Sequence, residues 1–143
     1  PVVPVLRDQN SGTYEVVRQQ VLKGLNFAGG MFCRTSQEVM NRVALERGGI
    51  GCVGLAWLKG GRVKALRIAG RPGEEFVAAD APSVYKNRYP IRRPLMVCEL
   101  HRPLDASLRA GFISFLVSTR GQILVESEGL VPDTVPERII QLK

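Results

Sequence analysis

The stretch Arg7-Asp8-Gln9-Asn10-Ser11-Gly12-Thr13 follows an apolar, β-branched run (Val2, Val3, Val5, Leu6) and precedes an amphipathic segment over residues 14–22, so it reads as strand, loop, helix start. The first turn of a helix carries backbone N–H groups with no intrahelical partner and about half a positive charge, which makes such a junction a seat for an oxyanion. Ser11 and Thr13 add hydroxyl donors, Gly12 lets the backbone approach closely, and Arg7 offers a planar fork that matches a phosphate edge. The same residues also suit an ordinary capped helix, with Ser11 or Thr13 as N-cap and Arg7 as a solvated strand-end charge. Local chemistry alone does not choose between the two.

At 143 residues, 45% hydrophobic and 23% charged, the chain has the size and balance of one globular domain with a usable core. Lys, Arg, Glu or Gly interrupts every apolar run well short of the roughly 18 residues of a membrane span. No basic-then-apolar leader stands ahead of Pro1, so no signal peptide is read in this chain, as in a processed protein or an excised fragment. Cys33, Cys52 and Cys98 sit in apolar surroundings without C-x-x-C spacing and read as small core residues, with neither a zinc site nor a disulfide framework. The net charge of +7 favours anionic partners without selecting one. Its densest basic run, 86–93, interleaves Lys86, Arg88, Arg92 and Arg93 with Tyr85 and Tyr89, a pattern that suits nucleic acid as well as a solvated connector.

Periodic Tyr14, Val17 and Val21 predict a helix lying on a sheet and ending at Gly24. Residues 26–30 read as a loop, and Thr35-Ser36-Gln37-Glu38 has capping-box spacing ahead of a second helix that carries Val39, Val43 and Ala44 and stops at Gly48-Gly49. The continuous apolar run 50–57 predicts a buried strand with Trp57 as a core anchor, and residues 63–68 a strand near an edge. Residues 70–82 read as a loop, and Ser83 as the cap of a short helical turn. Residues 95–100 read as a strand. Asp105 is expected to cap a helix with the apolar face Leu108, Phe112, Phe115 and Leu116, followed after a break by a helical segment over 121–126 closed by Gly129. Residues 130–132 read as extended, and 135–142 as a last short helix or a frayed end.

Catalytic constellations are not supported. His101, the single histidine, stands beside Arg102 and Pro103, far in sequence from Ser11 and every cysteine. The pattern G-x-x-x-x-G-K-[ST] is absent, and the glycines at 48, 49 and 51 precede a strand where a dinucleotide fingerprint would follow one. The acidic pairs Glu74-Glu75 and Glu126 with Glu128 define no pocket, so no metal and no cofactor is expected, and the chain is read as a non-enzyme.

Five blocks in order then carry a resemblance: Arg7-x-x-x-Ser11-Gly12-Thr13; Gly49-Ile50-Gly51-Cys52-Val53-Gly54-Leu55-Ala56; Tyr89-Pro90-Ile91-Arg92-Arg93-Pro94-Leu95; Phe115-Leu116-x-Ser118-x-x-Gly121-Gln122; and Glu128-Gly129-Leu130-Val131-Pro132. Together they resemble the substrate-binding proteins of phosphate ABC transporters, latter half only. The resemblance implies an α/β, periplasmic-binding-protein type II-like fold, three-layer with a mixed sheet, in which residues 1–94 form the second, anion-binding lobe and 95–143 the strand and helices that return to the first lobe. It implies binding of inorganic phosphate or a similar tetrahedral oxyanion for uptake or sensing. Arg7 would pair with the anion, and Ser11, Gly12 and Thr13 would give hydroxyl and backbone donors.

Two departures accompany the resemblance. The acidic residue that in the family holds the arginine, two positions after it, is Gln9 here, with Asp8 adjacent, and Asn10 replaces a usual glycine. The first-lobe aspartate that accepts the proton of hydrogen phosphate has no counterpart, so phosphate is not set apart from sulfate on this chain alone. The implied partners are the oxyanion, the transporter permease, and either the missing first lobe or a second copy covering the apolar helices; the implied location is periplasmic, extracellular or membrane-anchored. A structural or interaction module of the same fold without tight anion binding, and a basic nucleic-acid-binding protein centred on residues 86–93, are the alternative readings, nucleic acid being the one not expected.

Overall fold

The β-branched run near the start forms β1 (Val3–Arg7), the middle strand of a three-stranded sheet. The structure, a computed structural model, describes residues 1–58, 60–100 and 106–134, and the chain divides into two units, Pro1–Arg93 and Pro94–Lys143. In the first unit β1 pairs in parallel with β2 (Met31–Cys33) on one side and β3 (Gly49–Gly51) on the other, in the order β2-β1-β3. The helix α1 (Gly12–Gln20) links β1 to β2, and α2 (Ser36–Leu45) links β2 to β3. Alternation along β1 sends Val5 to one face, where it packs with Cys33 and Val39, and Leu6 to the other, where it meets Tyr14, Val17 and Phe27. Helices therefore cover both faces, and the architecture is three-layered α/β.

The sheet is parallel throughout its described strands, which corrects the expectation of a mixed sheet. Each connection is a crossover through a helix, which carries the chain back to the edge it started from, so both neighbours must run with β1. Among the described residues the antiparallel pairing is the isolated bridge between Ile68 and Val77. Pro4 is tolerated in the central strand because of a stagger. Val3 N–H donates toward β3, to Gly48 O at 2.9 Å, so the donor that Pro4 lacks would point toward β2, whose pairing begins only at Val5.

The other differences from expectation share a cause: a strand needs a neighbour. The β2 strand, short and with Phe32 exposed, carries no alternation and was not anticipated. The run 50–57 leaves the sheet after Gly51 and turns as a 3-10 helix over Leu55–Leu58, where Trp57 N–H donates to Gly54 O at 3.0 Å. Trp57 is thus 43% exposed and is not a core anchor. Residues 63–68 give the single bridge at Ile68, and residues 95–100 form no strand, with Leu95, Met96 and Val97 exposed. The cap of α3 (Ala81–Tyr85) is Asp80, not Ser83: its carboxylate accepts from Ser83 N–H at 2.8 Å, and these bonds hold its pKa below the usual value.

In the second unit α4 (Leu108–Val117) is capped by Ser107, whose hydroxyl accepts from Ala110 N–H at 3.1 Å; Asp105, the expected cap, lies outside the described residues, as do His101 and the expected helix over 135–142. Ser118 closes α4 and opens α5 (Thr119–Ser127), its hydroxyl donating to Phe115 O at 2.6 Å and accepting from Gly121 N–H at 3.2 Å. A side chain at Gly121 would strike the carbonyls of Phe115 and Leu116. Buried Gln122 donates to Leu116 O at 2.7 Å and accepts from Asp133 N–H at 2.7 Å, so one amide ties the end of α4 to the tail beyond α5.

Gly51 offers a test of the first core. A Cβ there would lie 2.7 Å from Val39 Cγ1 and 3.0 Å from Val5 O, and Val39 is 1% exposed. Gly51→Ala should destabilise the first unit by about 1–3 kcal/mol through overpacking, read as a lowered urea midpoint; an unchanged midpoint would mean that the Val39 layer can yield.

Candidate oxyanion site

The carboxyl end of β1 delivers Arg7 to a tight turn. Ser11 N–H donates to Asp8 O at 3.0 Å, and the Asp8 carboxylate accepts from Asn10 N–H at 3.0 Å, as short Asx residues do in turns. Ser11 then adopts an extended conformation and caps α1, its Oγ accepting from Thr13 N–H at 3.2 Å and its carbonyl from Glu15 N–H at 3.2 Å. The four first amides of a helix have no intrahelical acceptors of the ordinary kind, and Ser11 satisfies the second. Among the described residues no acceptor reaches the Gly12 and Tyr14 amides.

Arg7 is held from outside the loop. Its Nη1 donates to Ser36 Oγ at 3.0 Å and its Nη2 to Arg34 O at 2.9 Å, both at the entrance to α2, while Nε is buried without a partner. A guanidinium has five N–H donors, so these contacts orient the fork and leave donors over. The support comes from the β2–α2 junction; among the described residues Asp8 forms no ion pair with Arg7, and one of its carboxylate oxygens accepts from Asn10 N–H. That junction is itself well made: Thr35 caps α2 through Glu38 N–H at 3.1 Å, and Glu38 reaches back to Arg34 N–H at 2.8 Å.

Arg7, Ser11, Gly12 and Thr13 thus share the β1–α1 junction, and Arg7 and Thr13 line one small pocket with Cys52, which follows β3. Sheets of order 2-1-3 open a crevice between the carboxyl ends of the first and third strands, where ligands of such folds bind. Burial raises the Cys33 and Cys52 thiols above their ordinary pKa, so neither is poised as a thiolate nucleophile. Among the described residues no group of three His, Cys, Asp or Glu could hold a metal ion, and no helix is long and apolar enough to cross a membrane. From the sequence Arg93 belongs to a basic run and to the third block of the resemblance, with no site role given to it, yet its guanidinium lies against Gly12. Nothing local signals that contact, because the two residues are far apart along the chain.

The arrangement and the chain trace define the class as a lobe of the periplasmic-binding-protein fold. The solved structures that share it include a phosphate ABC transporter phosphate-binding protein from Streptococcus pneumoniae (TM-score 0.71, 24% identity, 93% of this chain and 52% of that one). They also include a Clostridium perfringens structure titled as a putative phosphate ABC transporter substrate-binding protein with bound phosphate (TM-score 0.72, 24% identity, 92% and 52%). In sequence the chain is 29% identical over 136 residues to the phosphate-binding protein PstS of Pseudomonas aeruginosa and 27% identical over 133 residues to PstS of Borreliella burgdorferi, covering 42% and 46% of those proteins. No family model matches. The chain spans about half the length of these relatives and is consistent with a partial PstS-like protein.

The acid in the first turn of α1 gives a pH signature. Arg18 bonds both oxygens of Glu15 at 3.0 Å, Gln19 adds a bond at 2.9 Å, and the Glu15 pKa falls to about 2. Because the folded value lies below the ordinary 4.5, this stabilisation is complete above pH 4.5 and is lost as pH falls through about 2. Glu15→Gln should therefore lower the thermal midpoint at neutral pH and leave it nearly unchanged near pH 2; an equal effect at both would show that the carboxylate's charge is not what acts.

Proposed function

We propose that this chain is the second-lobe part of a non-enzymatic phosphate-binding protein, contributing one side of a two-sided oxyanion site that serves a phosphate ABC transporter. The observation that carries the reading is the fixed Arg7 fork beside the α1 N-terminus, with the Gly12 and Tyr14 amides still open. Arg7 gives the guanidinium, Gly12 a backbone N–H, and Ser11 and Thr13 hydroxyl hydrogens. A periplasmic or otherwise extracytoplasmic location and a permease partner go with that role.

Half a site sets a ceiling on affinity. Charge-assisted hydrogen bonds contribute about 1.5–3 kcal/mol each net, and micromolar binding requires about 8 kcal/mol. One lobe, open to water, should bind inorganic phosphate no tighter than about millimolar. In an amide NMR titration of the chain, phosphate should shift Gly12 and Tyr14 saturably in that range. Arg7→Ala should abolish the shifts, and Arg7→Lys, with charge but no fork, should weaken them. Micromolar affinity would overturn the half-site reading, and silent amides would overturn the anion reading in favour of an interaction module.

The second unit bears on partners. Leu108 is 90% exposed, and Phe112 and Phe115 of the same helix are also exposed. Apolar faces of this kind favour a cover, and the reading assigns it to the missing first lobe or to a second copy. Light scattering of the chain alone should report self-association, relieved when a separately produced first-half chain is added; a stable monomer would count against this assignment.

A further inference from the structure

We propose that Arg93 is a second anion-contacting residue of this site, brought from the far end of the first unit and seated on Gly12; the inference rests on the oxyanion reading above. The Arg93 guanidinium fills the space that a side chain at position 12 would take: its Cζ lies 3.0 Å and its Nη2 3.3 Å from the place of a Cβ, and Nη1 is nearer. Gly12 has no positive φ, so its backbone does not ask for glycine. What a side chain there would first meet is the Arg93 guanidinium, the far end of an exposed side chain that is free to swing aside.

Arg93 is placed by its neighbours. Gln20, the last residue of α1, donates from Nε2 to Arg92 O at 2.8 Å and accepts from Arg92 N–H at 3.2 Å, a paired contact across 72 residues of sequence. Pro94 restricts Arg93 to an extended backbone. With the preceding residue clamped to α1, the Arg93 side chain is directed to the start of the same helix.

Charge then assigns the role. A cation at a helix N-terminus opposes the macrodipole, and Arg7 occupies the same junction. Among the described residues, no carboxylate forms an ion pair with Arg7 or Arg93; those that do pair go to Arg18, Arg88 and Arg109. Two guanidinium groups and a helix N-terminus at one junction become mutually favourable when a dianion lies among them. The ligand class is accordingly a dianionic oxyanion, preferred over monoanions.

The test uses the full chain and inorganic phosphate, read by amide NMR, with thermal unfolding in parallel. Arg93→Ala should weaken phosphate binding by about ten-fold or more, and Arg93→Lys by less. Thermal unfolding checks that each variant is folded. Native-like affinity in Arg93→Ala, with the native chain responding to phosphate, overturns the anion contact and leaves the oxyanion reading standing. If the native chain itself does not respond to phosphate, the oxyanion reading fails and the contact with it.

Discussion

Val5 is the residue on which the two halves of the sheet meet. It pairs with Met31 of β2 and with Gly51 of β3, and its side chain is fully buried against Cys33 and Val39. One apolar residue thereby fixes the register of three strands and the seat of α2 at once, since slipping any strand by one position would turn this side chain to the opposite face. Arg7 lies two residues on, at the edge where β1 ends. Because α2 is locked onto Val5 through Val39, Ser36 Oγ and Arg34 O stand where the Arg7 fork needs acceptors. The geometry of the charged site is a consequence of the apolar register beneath it.

What could be read from the sequence was what is encoded locally. The strand, turn and capped helix near the start, and the capping box at Thr35, rest on residues within a few positions of one another, and they form, with α1 over Gly12–Gln20, two residues ahead of the 14–22 read from periodicity. The failures involve partners. An apolar run such as 50–57 is compatible with a strand, but how far it stays in a sheet depends on the neighbour, and here β1 accompanies it only through Gly51. Trp57 was misread for the same reason. At the candidate site, Arg7, Ser11, Gly12 and Thr13 stand together because one loop carries them, which the sequence shows, whereas the acceptors that orient Arg7 and the guanidinium on Gly12 arrive from distant segments.

The net charge of +7 says little by itself, because its carriers have separate fates. Arg18 is consumed by Glu15, and Arg88 pairs with Glu75 at 2.9 Å on the surface. Arg92 is tied by its main chain to Gln20, and Arg93 turns onto Gly12. Of the basic run 86–93, which as a string of letters suited a polyanion, Arg88 is thus given to a surface ion pair and Arg93 to α1, while the Arg92 clamp uses main-chain atoms and leaves its side chain, like that of Lys86, outside the ion pairs of the described residues. A continuous stripe for a phosphate backbone would need those cations side by side and unpaired.

The junction around Arg7 offers hydrogens. Backbone amides and guanidinium groups donate only, the Ser11 and Thr13 hydroxyls can donate or accept, and one oxygen of the nearby Asp8 carboxylate is engaged with Asn10 N–H. The donors measure the charge and shape of an anion and do not register whether it carries a proton; what rejects an anion with no proton to give is an ionised acceptor. Hydrogen phosphate and sulfate differ in that proton alone among the properties a donor set can meet. Charge recognition and discrimination are therefore separable in the proposed site: a helix N-terminus and arginines on one lobe would supply the first at low affinity, while the second depends on an ionised acceptor facing them, which would repel sulfate and accept from hydrogen phosphate.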